Sequence, residues 1–266
     1  MANCKRQLEG DLRSTDHFKF AIFHLPFFPA ARLPNFGWGP LMRSLSVIWA
    51  VFAKDLRVEW RSRETLAPMC VFGLLVVFLF NFAFETAREE TLRLLPGLLW
   101  IAFAFSGILG FNRSFAAERE NGCMEGMVLA PVDPSAIFVG KLLANLVFLG
   151  VTEAVIVFAA AIWYNFSFLP SLGWLALILF FGTLGYTALG TIFGAIAANT
   201  RMREVMLPVL QFPVSFWILI LSVDATSDAL RNSASSEIMQ GIFRVAGISV
   251  IFAAVSFLLF EYVLEE

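Results

Sequence analysis

Long apolar stretches separated by short charged ones dominate the chain. A helix needs roughly 20 apolar residues to cross the hydrocarbon of a bilayer. Six stretches qualify: Leu66–Phe84, Leu95–Phe111, Ile137–Ile162, Leu172–Ala198, Val205–Val223 and Ile242–Val263. Backbone polar groups inside lipid must be paired within the segment, and none of these stretches alternates like a barrel strand. The pattern predicts an all-α polytopic membrane protein with six transmembrane helices.

A further periodic segment precedes the first predicted span. Apolar residues recur on one helical face, at Leu45, Ile48, Trp49, Phe52, Leu56 and Trp60. Basic residues occupy the opposite face, at Arg43, Lys54, Arg57 and Arg61. This pattern predicts an amphipathic elbow helix in the cytoplasmic interface, serving as a surface anchor or as an element that transmits motion. Near its end, we expect Glu59 and Arg63 to pair with each other or with the bundle.

A charged segment, Asn112–Lys141, separates the second and third predicted spans. We expect Asn112–Glu120 to continue the second span as a helix and Cys123–Ala130 to form a second short helix. Asp133 then caps the third span, with Pro134 at the first helical position. Such a rigid cytoplasmic hairpin suits a segment that receives movement from a separate ATPase. An ordinary solvated connector is the alternative.

Charge and composition set the orientation and the class of the protein. The chain is 59% hydrophobic and 15% charged, with a net charge of −2, so nucleic acid is not an expected partner. Ten Lys and Arg residues fall on one side of the predicted spans and four on the other, which places both termini in the cytoplasm. Residues 1–41 contain several prolines and mixed charges. We expect a poorly structured extension there, followed by a permease domain at residues 42–266. Met42 is a candidate for the physiological start.

Three polar residues lie along the third predicted span, at Lys141, Asn145 and Glu153. A charged carboxylate at the bilayer centre costs about 2.5–3.5 kcal/mol, so Glu153 is expected to face the bundle. It is either a protonated structural carboxyl or part of a translocation or proton path. Lys141 and Asn145 lie too far along the helix axis to pair with it directly.

Small residues form close-packing surfaces on two spans. Gly190 and Gly194 make a GxxxG pattern in the fourth span, and Ala102, Ser106 and Gly110 repeat the spacing in the second. Such surfaces let helices approach closely, either within one chain or between two copies.

Motifs for catalysis and for metal binding are absent from the sequence. The Gly140-Lys141 pair lacks the spacing of a phosphate-binding loop, and HExxH, GxSxG and clustered His or Cys do not occur. We therefore expect a non-enzymatic subunit with no catalytic, metal-binding or cofactor-binding residues. ATP hydrolysis would belong to a partner chain.

Several separated segments together resemble the CcmB family, the haem exporter B subunits of cytochrome c maturation. They are KDLRVEWRSRE (Lys54–Glu64), LPGLLWIAFAFSGILGFNRSFAAERENG (Leu95–Gly122), LAPVDPSAIFVGKLLAN (Leu129–Asn145), GAIAANTRMREVMLPVLQFP (Gly194–Pro213) and FEYVLEE (Phe260–Glu266). The resemblance covers Leu45 to Glu266, and residues 1–41 depart from the pattern.

The resemblance implies an ABC-2 type permease subunit in a bacterial inner membrane. Two copies would join two copies of the ATPase subunit CcmA and contact the haem-handling proteins CcmC and CcmD. The complex would use ATP to release the haem-loaded chaperone CcmE or to export haem. With no histidine in the membrane body, a mechanical role is favoured over haem ligation.

Residue roles follow from the same resemblance. The ATPase-coupling residues would be Arg113, Arg119, Glu120, Glu125 and Asp133. The elbow residues Arg57, Glu59, Arg61 and Arg63 would border the same surface. Two other functions stay open: an ABC-2 permease for a lipid, polysaccharide or drug, and a non-transport scaffold or membrane enzyme.

Overall fold

The computed structural model of the protein describes residues 40–83, 88–120, 133–165, 168, 171–198, 200, 202–231 and 233–265. Seven helices make up this part of the chain: α1 Pro40–Ser62, α2 Leu66–Ala83, α3 Arg88–Glu120, α4 Pro134–Trp163, α5 Leu172–Ala198, α6 Arg203–Leu230 and α7 Ser235–Glu265. No strand occurs among these residues. Arg43–Glu266 form one compact unit. The predicted all-α fold is confirmed.

Five helices, α3 to α7, are long and apolar enough to cross a membrane. The number rises to six if α1 and α2, which meet at a bend of 69°, are taken as one broken span. Every predicted span coincides with one of the helices α2 to α7. The protein is a multi-pass membrane protein, as the hydropathy pattern predicts.

Helix α1 is the predicted elbow helix. Its residues Phe52 and Leu56 pack against the buried core, whereas Leu45, Trp49 and Trp60 are more than 60% exposed. Large exposed apolar side chains next to basic ones are typical of a helix at a membrane interface. The helix ends at Ser62, and the next residue, Arg63, has a φ of 55°, which turns the chain into α2.

Helix α5 packs against α3 through its glycines. A side chain at Gly190 would overlap the ring of Phe111, and one at Gly194 would crowd the ring of Phe115. The Tyr186 hydroxyl, on the same helix, donates a hydrogen bond to the Ala104 carbonyl of α3 at 2.7 Å. The GxxxG surface of the fourth span therefore packs within the chain.

Helix α3 extends well beyond the second predicted span, from Arg88 to Glu120. The expectation that Asn112–Glu120 continues this span as a helix is confirmed. The return helix Cys123–Ala130 and most of the predicted N-terminal extension lie outside the described residues.

Candidate functional site

Lys141 of α4 is a buried cation held by residues of two other helices. Its side chain is 1% exposed, and its Nζ lies 3.0 Å from Oδ2 of Asp55 on α1. The same Nζ lies 3.4 Å from the Ser114 carbonyl and 5.2 Å from the centroid of the Phe115 ring, both on α3. A buried charge is costly unless it is paired. The Lys141 side chain therefore ties α4 to α1 through the ion pair and to α3 through the Ser114 carbonyl and the Phe115 ring.

Asp55 was missed in the sequence analysis, which named only basic residues on the polar face of α1. Its side chain is 11% exposed and also lies 3.3 Å from the ammonium of Lys54. The sequence did contain a signal, because Lys141 is an isolated lysine at the start of an apolar span and needs an acidic partner on a neighbouring helix, and Asp55 is one of the few acids of α1. Two such residues are natural partners for each other once the helices pack.

Glu59 fixes the bend between α1 and α2. Its carboxylate accepts hydrogen bonds from the Thr65 amide at 3.0 and 3.2 Å and from the Leu66 amide at 2.7 Å. The first amides of a helix have no partner within the helix, and a negative charge is favourable at that end. The sequence analysis predicted that Glu59 pairs with Arg63 or with the helix bundle. In the structure its carboxylate contacts the start of α2, the first helix of the bundle. The neighbouring Arg63 is exposed, and its backbone amide donates to the Glu59 carbonyl at 2.8 Å.

Arg113 joins the end of α3 to the same bend, through an ion pair with Glu64. The side chains of Arg113 and Glu64 are 42% and 58% exposed. Solvent-exposed ion pairs contribute little to stability. This contact therefore shows that α3 lies close to the bend, and it adds little to the stability of the fold.

Asp133 occupies the N-cap position of α4, and Pro134 follows it at the first turn, as predicted. The prediction that the Asp133 side chain caps the helix is wrong. The Ala136 amide, one of those that a side-chain cap would engage, donates instead to the Asp133 backbone carbonyl at 3.0 Å. The carboxylate is left to accept a hydrogen bond from the Ser44 hydroxyl on α1 at 3.2 Å.

These separate polar contacts, spread along α1 and the bend that follows it, are together called the elbow junction here. Its members are Ser44, Asp55, Glu59, Glu64, Arg113, Asp133 and Lys141. They connect α1 and the bend after it to α2, α3 and α4. Buried ion pairs and helix caps hold elements in position, so the elbow junction fixes α1 and the bend against these helices.

The remaining predicted residues of this region lie apart from the junction or outside the described structure. Arg57 and Arg61 are exposed on α1. Glu125 and the side chains of Arg119 and Glu120 lie outside the described part of the chain.

The other polar residues of α4 have separate partners within the bundle. The Asn145 amide donates to the Thr191 hydroxyl on α5 at 3.2 Å. Glu153, 3% exposed, accepts a hydrogen bond from the Thr183 hydroxyl on α5 at 2.6 Å. The prediction that Glu153 faces the bundle is confirmed, and the structure does not bring Lys141, Asn145 and Glu153 into contact.

Groups of three or more His, Cys, Asp or Glu side chains that could hold a metal ion are absent from the described residues. The groups that the elbow junction does contain are ion pairs and hydrogen bonds between helices. Their arrangement supports a mechanical role.

Comparison with known proteins gives a consistent match over most of the chain. The family described as CcmB protein matches residues 46–261. Heme exporter protein B of Rhodobacter capsulatus is 27% identical over 202 residues, covering 75% of this chain and 90% of the relative. The Pseudomonas aeruginosa protein of the same name is 28% identical over 193 residues, which cover 72% of this chain and 85% of the relative. Heme exporter protein B of Paracoccus denitrificans is 26% identical over 203 residues, which cover 76% of this chain and 90% of the relative. The residues matched by the family include every member of the elbow junction except Ser44.

Proposed function

The chain belongs to the CcmB family, and from this premise we propose that it is the permease subunit of an ABC transporter for cytochrome c biogenesis. In this proposal the chain hydrolyses no ATP itself. A separate cytoplasmic ATPase subunit, CcmA, supplies the energy. The relatives carry the name heme exporter protein B, which supports a place in the haem-handling machinery.

The observation that carries the proposal is the buried contact between Lys141 and Asp55. Breaking one partner of a buried ion pair costs about 3–5 kcal/mol, so α1, α3 and α4 resist separation at this point. Residues 121–132 connect the end of α3 to the start of α4. A partner that pushes on this connection displaces both helix ends, and the ion pair carries the displacement to α1.

The proposed cycle follows from this linkage. Nucleotide-driven closure of CcmA moves the connection between α3 and α4, where Arg119, Glu120 and Glu125 would make polar contacts. The elbow junction then moves α1 with α3 and α4 as one body. This movement acts on CcmC and CcmD, the haem-handling partners, in a complex that contains two copies of this chain. Its site would be the bacterial inner membrane, with both termini in the cytoplasm.

The movement is proposed to release the haem-loaded chaperone CcmE rather than to bind haem tightly in this subunit. The two histidines, His17 and His24, precede α1, so the membrane helices have no imidazole to offer the iron. The alternative function is export of haem by the complex, which agrees with the name heme exporter protein B of the relatives.

Gene deletion tests the proposal. Membrane proteins of the deletion strain are stained for covalent haem, with a strain complemented by the full chain as the control. Haem-loaded chaperone without mature c-type cytochromes is the expected result. Normal c-type cytochromes in the deletion strain would refute a role in their maturation and favour an ABC-2 permease with another substrate.

A further inference from the structure

A groove of about 870 Å³ lies between α4 and α5. Its lining is apolar apart from Glu153, Thr183 and Asn165. Two of its aromatic residues, Phe158 and Phe180, are exposed at the outer surface of the bundle, where hydrocarbon surrounds a membrane protein. An apolar cavity of this size with a few convergent polar groups has the usual form of a small-molecule site.

The carboxyl group of the groove lies deep in the membrane. Glu153 precedes Trp163, the last residue of α4, by ten residues. At about 1.5 Å per residue this corresponds to roughly 15 Å, about half the thickness of the hydrocarbon. The groove therefore offers its polar group near the middle of the bilayer, out of reach of lipid headgroups.

The hydrogen bond from Thr183 determines what the carboxyl offers to a ligand. An ionised carboxylate is unfavourable at this depth, so the neutral acid is the favoured form. The Thr183 hydroxyl donates to Oε1 at 2.6 Å, which makes Oε1 the acceptor and leaves the proton on Oε2. Within the described residues, Glu153 has no other hydrogen-bond partner. A donor without an acceptor is costly in an apolar groove inside the membrane, and a ligand oxygen in the groove would remove that cost.

We propose that the groove between α4 and α5 binds a lipid-soluble carbonyl compound with a flat apolar body, the chemistry of a membrane quinone. The carbonyl oxygen accepts the Glu153 proton, and the ring packs against the phenyl groups of Phe158 and Phe180, as aromatic rings do in offset or edge-to-face contacts. A lipid phosphate does not suit the site, because no basic residue lines the groove. The proposal is independent of the coupling role of the elbow junction.

The test is saturation binding of radiolabelled decylubiquinone to the full chain in phosphatidylcholine nanodiscs, with empty nanodiscs subtracted. Gly150→Leu fills the groove, because a Cβ at Gly150 meets no atom within 4 Å. Gly247→Leu on α7 is the matched control, since its Cβ also meets no atom within 4 Å and it does not line the groove. Size-exclusion profiles verify that each variant is folded.

We expect one saturable site in the wild type and in Gly247→Leu. Affinity for decylubiquinone is expected to fall about ten-fold or more in Gly150→Leu and in Glu153→Leu. The first variant fills the groove, and the second removes the hydrogen-bond donor for the quinone carbonyl. Glu153→Gln keeps an N–H donor and is expected to retain most of the affinity.

Three results would overturn the assignment. The first is binding that does not saturate above empty nanodiscs. The second is wild-type affinity in Gly150→Leu or Glu153→Leu. The third is saturable binding of haemin, but not of the quinone, that Gly150→Leu abolishes, because the groove would then be a porphyrin site.

Discussion

Lys141 shows how a single charge can organise one end of a membrane bundle. Its ammonium is buried among apolar side chains and is stabilised by Asp55, the Ser114 carbonyl and the Phe115 ring. The cost of burying it is recovered only when all three helices are in place. The charge therefore favours a single arrangement of α1 against α3 and α4.

Lys141→Met should destabilise the folded protein, because it leaves the Asp55 carboxylate buried without its main partner. The loss for a broken buried pair is about 3–5 kcal/mol, and Lys54 beside Asp55 places this case toward the lower value. Thermal unfolding in detergent measures the effect as a lower Tm. The double variant Asp55→Leu with Lys141→Met removes both charges and should recover most of the loss. An unchanged Tm in the single variant would show that the pair contributes nothing to stability.

Glu59→Ala should loosen the bend between α1 and α2 by removing the acceptor for the Thr65 and Leu66 amides. Loss of a helix cap costs about 0.5–2 kcal/mol. Limited proteolysis at the bend, followed by mass spectrometry, measures the change as faster cleavage. Glu64→Ala is the control, because its ion pair with Arg113 is exposed and should matter less. Equal cleavage rates in the two variants would argue against the cap.

Residue types and spacing predicted some of these contacts and missed others. Burial of Glu153 followed from the cost of a carboxylate in hydrocarbon. The cap made by Glu59 did not follow, because it depends on the bend at Arg63 that brings the Thr65 and Leu66 amides back to it. The hydrogen bond between Asp133 and Ser44 did not follow either, because it depends on how α1 lies against α4. A hydropathy pattern predicts which side chains are buried, and it does not predict which helix they contact.

Among the elements, α5 shows how small residues set the spacing of helices. Its glycines receive large side chains of neighbouring helices, including Trp100 at Gly182 and Phe111 at Gly190. In lipid, helices associate through close packing and interhelical hydrogen bonds rather than through exclusion of water. The contact between α3 and α5 therefore depends on these positions.

Gly190→Leu should force α3 away from α5, because its side chain would occupy the place of the Phe111 ring. Overpacking of this kind typically costs about 1–3 kcal/mol, and more where the neighbour cannot move. The fraction of monodisperse protein in size exclusion is expected to drop. Gly97→Leu on α3 is the control, since its Cβ meets no atom within 4 Å. A normal profile for Gly190→Leu would contradict the close packing of these helices.

The extents of the helices were predicted better for the apolar segments than for the charged ones. The continuation of the second span through Asn112–Glu120 was predicted, whereas the start of α3 at Arg88, seven residues before the predicted Leu95, was missed. Polar residues can continue a helix into water, where the hydropathy pattern no longer marks it. The predicted spans agree in order with helices α2 to α7. Hydropathy marks these segments well, because apolar length is what defines a membrane span.

In the whole molecule, the elbow junction includes Asp133, the residue that follows in sequence the connection between α3 and α4 that the proposal assigns to the ATPase. Glu125→Lys in this connection should leave membrane insertion intact and reduce stimulation of the ATPase, because it reverses a charge at the proposed contact. ATP hydrolysis by the reconstituted complex measures the effect. Glu237→Lys, at the start of α7, is a charge-matched control on another element. Wild-type stimulation by the Glu125→Lys complex would remove this segment from the coupling path.

The most direct measurement is covalent haem in cells whose only copy of this chain carries Asp55→Leu with Lys141→Met. Both substitutions are apolar, so the protein should insert and accumulate normally, as an immunoblot of the membranes will verify. Without the ion pair, α1 loses its buried polar link to α4 and is left with its apolar packing and its exposed hydrogen bond from Ser44. Haem-loaded chaperone should then accumulate while mature c-type cytochromes fall to the level of the deletion strain. Mature cytochromes at the wild-type level would contradict the role of the elbow junction as the link between ATP hydrolysis and the membrane helices.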